Sequence, residues 1–173
     1  MTRVLYAAIF IALLTGCKKE DVKPSQSEIN AQLLAGNVGQ SKSWTLTSWS
    51  QQIGTDSIQS LTLLPCFADN IYTFTNNSQQ NYQCTEGATK CNAYDSDLVE
   101  AGTWAFTDDG KMVIILSNIL TESSNSFFSV YGFAFPAEVT QLSEDTFSIQ
   151  MTITQTTLGT TTVDIFNFTF TKI

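Results

Sequence analysis

The 173-residue chain contains no histidine, which removes Ser-His and Cys-His nucleophile pairs together with the commonest general base. Carboxylates and cysteines remain. Carboxylate pairs stand at Asp95/Asp97, Asp108/Asp109 and Glu144/Asp145. Each lies among turn-forming residues, so these are expected to be solvated turn groups and not acid–base partners. Asp95-x-Asp97-x-x-Glu100 could offer oxygens to Ca²⁺, but it lacks the glycine and the ligand spacing of an EF-hand. No phosphate-binding glycine loop, dinucleotide fingerprint or nucleophile elbow is present. Cys84 and Cys91 are too far apart for the short ligand spacing of a zinc site. No catalytic residue, metal or cofactor is expected, and the chain does not read as an enzyme.

Cys17 stands apart from the other cysteines. Met1-Thr2-Arg3 is followed by an apolar run, Val4 to Leu14, and then by Thr15-Gly16-Cys17. A positive charge, a short apolar stretch and small residues before a cleavage point form the pattern of an export signal. Eleven residues rise only about 16 Å as a helix, too little to span a bilayer. Leu14-Thr15-Gly16-Cys17 resembles the lipobox of bacterial lipoprotein precursors. That resemblance implies cleavage after residue 16, diacylglycerol on the Cys17 thiol and acylation of the new amino group, an attachment durable because it uses more than one chain. Residues 17–25 then read as a lipidated N-terminus and tether. Lys18-Lys19-Glu20-Asp21 reads equally as a solvated linker or as the charged signal that sends some Bacteroidetes lipoproteins to the cell surface. Lys18 after the cysteine favours the outer membrane, on its periplasmic or its surface side.

The formal net charge is -8. Beyond Pro24 only Lys42, Lys90, Lys111 and Lys172 oppose fourteen acidic residues. Such a surface repels phosphate backbones, so no nucleic-acid partner is expected. Apolar residues make up 43% and aromatics 12%, enough for one core, and residues 26–173 read as a single domain.

Ser25-x-x-Glu28 has capping-box spacing. Ile29, Leu33 and Leu34 give an apolar stripe, and Gly36 can terminate a helix over about residues 26–35. The rest reads as strand and turn. Phe147, Ile149, Met151 and Ile153 alternate with polar residues in Thr146 to Thr154. Thr161 to Thr171 is a second strand whose phase shifts at Ile165/Phe166, where a bulge is expected. Asp108-Asp109-Gly110 joins Gly102–Thr107 to Lys111–Leu116, and Asn76-Asn77-Ser78 joins Ile71–Thr75 to Gln80–Cys84. Trp44–Gln52 and a long strand over Phe127–Leu142, bent near Pro136, complete a set of eight. The architecture expected is all-β, an antiparallel up-and-down barrel with one short N-terminal helix; an open sandwich is the alternative.

The ordered series Trp44-Thr45-Leu46-Thr47-Ser48, Pro65-Cys66-x-x-Asp69-Asn70-x-Tyr72-x-Phe74, Glu86-Gly87-Ala88-Thr89-Lys90-Cys91, Gly102-Thr103-Trp104 and Asp109-Gly110-Lys111 resembles the lipocalin-like domain of Bacteroidetes lipoproteins, over about residues 30–173. It implies an eight-stranded lipocalin-like barrel. Its Gly-x-Trp element is only approximated ahead of Trp44. With Cys17 acylated, Cys66, Cys84 and Cys91 allow one bridge with three pairings. The resemblance implies Cys66–Cys91; Cys84–Cys91 is the alternative, and Cys84 is otherwise left over.

Aromatics at strand positions, Trp44, Tyr72, Phe74, Trp104, Phe106, Phe128, Tyr131, Phe133 and Phe168, either fill such a barrel or line a site for one small apolar molecule. Two functions are therefore expected of a monomeric, membrane-anchored domain. The leading one is a carrier of a small hydrophobic ligand. The other is a filled barrel contacting a protein or glycan through loops 53–68 and 85–101.

Overall fold

The computed structural model describes residues 23–94, 96–120, 134–157 and 159–173. The signal segment 1–16, Cys17, Asp95, Phe128, Tyr131, Phe133 and the first part of the strand expected from Phe127 lie outside them.

Helix α1 spans Gln26–Ala35 and starts as its sequence dictates. The Ser25 hydroxyl accepts from the Glu28 amide at 3.2 Å, and the Glu28 carboxylate accepts from the Ser25 amide at 2.7 Å, a reciprocal cap. Gly36, at φ +87°, ends it and donates its N–H to the Gln32 carbonyl. The buried face keeps only Leu34 of the expected Ile29/Leu33/Leu34 stripe. It is Asn30, Ala31, Leu34 and Ala35, whereas Ile29 is 39% exposed. Small alanines let the helix lie close over the barrel. Two polar anchors hold it there: Asn30 Nδ2 donates to the Gly110 carbonyl at 2.8 Å, and Trp44 Nε1 donates to the Leu34 carbonyl at 2.9 Å.

The strands are β1 (Ser41–Gln52), β2 (Gln59–Ser60), β3 (Ile71–Thr75), β4 (Asn81–Thr85), β5 (Leu98–Phe106), β6 (Met112–Leu120), β7 (Ala134–Leu142), β8 (Thr146–Thr157) and β9 (Thr160–Lys172). A one-turn helix α2, Pro65–Ala68, precedes β3. Successive strands from β3 to β9 pair antiparallel, β1 pairs with β3, and β9 returns to β1 through Trp44↔Lys172 to Gln52↔Ile165. The result is a closed eight-stranded antiparallel barrel, with the two-residue β2 added alongside β1 at Ser50 and Gln51. Closure leaves β1 and β9 paired to each other instead of exposed as edges.

Two details differ from expectation. No bulge occurs at Ile165/Phe166: β8 and β9 pair without a break from Thr146↔Thr171 to Thr157↔Thr160. The phase is kept because Asp164 takes an inward position and is buried, while Val163 faces out. The bulge lies across the other ladder instead, between Leu46 and Ser48 of β1. Likewise β7 keeps register through Pro136, opposite Ile114, and shifts between Val139 and Gln141. Pro136 is tolerated because β8 pairing begins only at Glu138, leaving that stretch hydrogen-bonded to β6 alone among the described residues.

The barrel has two unlike ends. Turns 76–80, 107–111 and 143–145 are short and share the helix end with α1 and the C-terminus. The loops after β1 and β4, residues 53–70 and 86–97, open at the opposite, loop end. There β8 and β9 run on together past their last pairings with β7 and β1, at Gln150 and Ile165.

Candidate functional site

Most of the aromatic residues expected to meet a ligand are brought together inside the barrel. Trp44 and Tyr72 are 0% exposed, and Phe74, Trp104 and Phe168 are equally inaccessible at 1–2%. Phe74 meets Trp104 edge-on at 6.1 Å and Phe147 at 6.0 Å, and Tyr72 meets Phe170 edge-on at 5.2 Å. Phe135 and Phe168 make a similar contact at 5.9 Å. Rings this enclosed pack against one another in edge-on contacts. Phe106 is half-buried, edge-on to Trp104 at 5.7 Å, and borders an open cleft of about 560 Å³ at the helix end with Pro24, Glu28, Gln32, Val38 and Gln80.

The loop end is braced from within. Cys66 and Cys91 form the disulfide, with Cα atoms 5.1 Å apart. The Thr89 amide donates to Asp69 Oδ2 at 2.7 Å. With its nitrogen turned inward, the Asn70 amide donates to the Cys66 carbonyl and to Glu86 Oε2, each at 3.2 Å. Gly87 is required by this packing, because a Cβ there would fall on the Asp69 backbone. Lys90 pairs with Asp97 at 2.6 Å on the outside. The two motif stretches 65–74 and 86–91 are therefore halves of one clamp. It holds out Tyr94, 95% exposed, and the first loop exposes Ile58 and Leu64.

The carboxylates serve separate purposes. Asp109 accepts from the Thr107 hydroxyl at 2.7 Å and the Lys111 amide at 3.1 Å, and these bonds hold its carboxyl below the usual range. Glu144 pairs with Lys42 at 2.7 Å, which lowers its carboxyl likewise. The Asp97 and Glu100 of the Ca²⁺ candidate diverge: Asp97 meets Lys90 at the surface, and Glu100 is buried in the barrel. Among the described residues no cluster of three His, Cys, Asp or Glu is placed to hold a metal.

Sequence reading missed the polar part of the interior. Asn70, Glu86, Glu100, Ser117 and Asp164 are all buried, and all lie toward the loop end. Cys84, the free cysteine among the described residues, is buried with them and hydrogen-bonds to Tyr72. Burial pushes its thiol up, with Glu100 adding to the effect, so it is a neutral group and no nucleophile. Burial also raises the Tyr72 hydroxyl, with Cys84 and Glu100 contributing. The carboxyl of Glu100 is pushed up to about 8 by burial, against a hydrogen bond from Tyr82 that lowers it. The only hint in sequence was Glu100 standing two residues before the Gly102-Thr103-Trp104 element. No protein-family model matches the chain, and no curated protein matches it either.

Proposed function

We propose that this protein is a lipocalin-like envelope lipoprotein, anchored through Cys17, that binds a partner with the outside of its loop end and not with its interior. The observation that carries this reading is the packing of the candidate ligand-binding rings: Trp44, Tyr72, Phe74, Trp104 and Phe168 are buried and engaged with Phe135, Phe147, Phe170 and each other. A second feature supports it. The chain enters at the helix end, at Lys23-Pro24, while the clamped loops with Tyr94 and Leu64 stand at the opposite end. A tether at one end would direct the loops away from the membrane. Tyrosine on a braced loop is the kind of rigid, low-entropy contact from which interfaces are built. Its role would be binding, with no catalytic step.

Two experiments test it. Labelling of the full chain with an alkyne fatty acid in an envelope-exporting host should succeed and be lost in Cys17→Ala. Photo-crosslinkers placed at Tyr94 or Leu64 in envelope preparations should yield defined adducts, and one at Val38 on the helix end should not. Adducts from Val38 alone would reverse the proposed polarity. A second reading, a small apolar ligand, draws on Trp49, half-buried near the loop end and stacked on Phe168 at 6.4 Å. A non-covalent adduct seen by native mass spectrometry and lost on denaturation would favour it.

A further inference from the structure

Glu100 is placed by two irregularities at once. Across the β4–β5 ladder the register shifts between Cys84 and Thr85, leaving Val99 as an extra residue between Leu98 and Glu100. Across the β5–β6 ladder it shifts between Ala101 and Gly102, leaving Asn118 extra on β6. Val99 and Glu100 are consequently both buried, against the alternation of a regular strand. Bulges re-aim side chains, and here the pair brackets a carboxyl that is 0% exposed.

Every described residue that acts on that carboxyl is neutral or acidic. Ser117 on β6 hydrogen-bonds to Oε1, and the Tyr82 hydroxyl on β4 favours the charged form, against the larger effect of burial. Cys84, its register partner on β4, and Tyr72 on β3 lie next to it, with Glu86 beyond the end of β4. The described lysines are elsewhere. Lys42 and Lys111 pair with Glu144 and Asp109 at the helix end, Lys90 pairs with Asp97 outside, and Lys23 and Lys172 are exposed. A buried carboxylate without a cation is unstable; a buried carboxylic acid, which can donate and accept, is not.

We propose that Glu100 is a proton-binding group built into the barrel wall, and that release of its proton loosens the β4–β5–β6 wall and with it the base of the loop end. This rests on the loop end being the working end only for its biological use; the proton site itself stands on the packing. The wall is firm while Glu100 is neutral. As pH rises through about 8 the charge appears against Tyr72, Cys84 and Glu86, with no cation among the described residues to receive it. The 86–97 loop, which joins β4 to β5, loses its footing first.

The test is carboxyl-carbon NMR of the folded domain with labelled glutamate, compared with Glu100→Gln. One resonance should titrate near pH 8, far from the ordinary glutamates, and be missing in the variant. Native-state amide exchange, corrected for its intrinsic pH dependence, should show β4–β6 losing protection between pH 7 and 9 in wild type while β8–β9 near Phe147 and Phe170 keep theirs. Glu100→Gln should remove that difference. Absence of any carboxyl titrating above pH 6.5 in wild type overturns the proposal, whether or not the variant folds. So does an exchange profile identical in wild type and variant. Neither readout involves a partner, so failure of the loop-end binding reading would leave it standing, and the reverse.

Discussion

Reduction of the Cys66–Cys91 bridge should destabilise the protein by about 3.5 kcal/mol. The bridge spans a sequence separation of 25. Loop-closure entropy for about 25 residues, taken as 2.1 + 1.5R ln n, is about 12 cal/mol/K, or ~3.5 kcal/mol at 25 °C. The native clamp does not depend on the sulfur link alone. Asp69–Thr89, Asn70–Glu86 and Lys90–Asp97 hold the same two segments, so the reduced protein should keep its barrel. The effect then falls on the unfolded chain, which gains freedom and exposed surface. Urea unfolding followed by tryptophan fluorescence, with and without reductant, measures it; the slope with denaturant should steepen on reduction. The double variant Cys66→Ala/Cys91→Ala should reproduce the loss and be indifferent to reductant. A loss below about 1 kcal/mol would refute the reasoning, as would a reduced protein without barrel circular dichroism. Against a typical ~5–15 kcal/mol for a domain, the predicted loss is large enough to see.

Other substitutions probe other parts. Stability of the wild type should fall as pH rises from 4.5 to about 8, because the unfolded Glu100 ionises first while the folded one holds its proton. The loss is at most about 5 kcal/mol, complete above pH 8 and absent below 4.5, and Glu100→Gln should flatten this part of the profile in denaturant titrations at each pH. Gly102→Ala would set a Cβ on the Leu116 carbonyl oxygen, so thermal unfolding should show a cost at or beyond the top of the ~0.5–3 kcal/mol usual for point changes. Leu46→Ala, at a fully buried site, should cost about 2–5 kcal/mol in the same assay. Ser25→Ala removes the α1 cap and should cost about 1 kcal/mol, with little change at the loop end by amide exchange.

Local chemistry made much of this fold legible. Ser25, Glu28 and Gly36 mark α1 from end to end, and the polar turns Asn76-Asn77-Ser78 and Asp108-Asp109-Gly110 mark their hairpins, because caps and turns are decided by residues within a few positions. The disulfide pairing came through the resemblance, and cysteine spacing left three pairings open. What sequence hid was everything set by register between distant strands. The bulges at Val99 and Asn118 cannot be read from Gln83 to Gly102, so Glu100 looked like a loop residue near Asp97. The phase of Thr161–Thr171 looked broken at Ile165/Phe166 because the inward position before it is filled by an aspartate, Asp164. The buried face of α1 was misjudged for a related reason: the barrel's close approach favours Ala31 and Ala35 over Ile29. Whether an aromatic fills or lines a barrel depends on the rings opposite it, and no single strand carries that information.

The pairing of β1 with β9 also fixes an order of events. Trp44 through Gln52 find their partners in residues 165–172, more than a hundred positions later in synthesis. Until that last strand has emerged, β1 has one long side unsatisfied and the interior stays open to water. Contacts of such long range are slow to form, and a truncated chain lacking β9 has nothing with which to close. The barrel can therefore close only once β9 is available, and a chain that lacks it leaves β1 without its long partner.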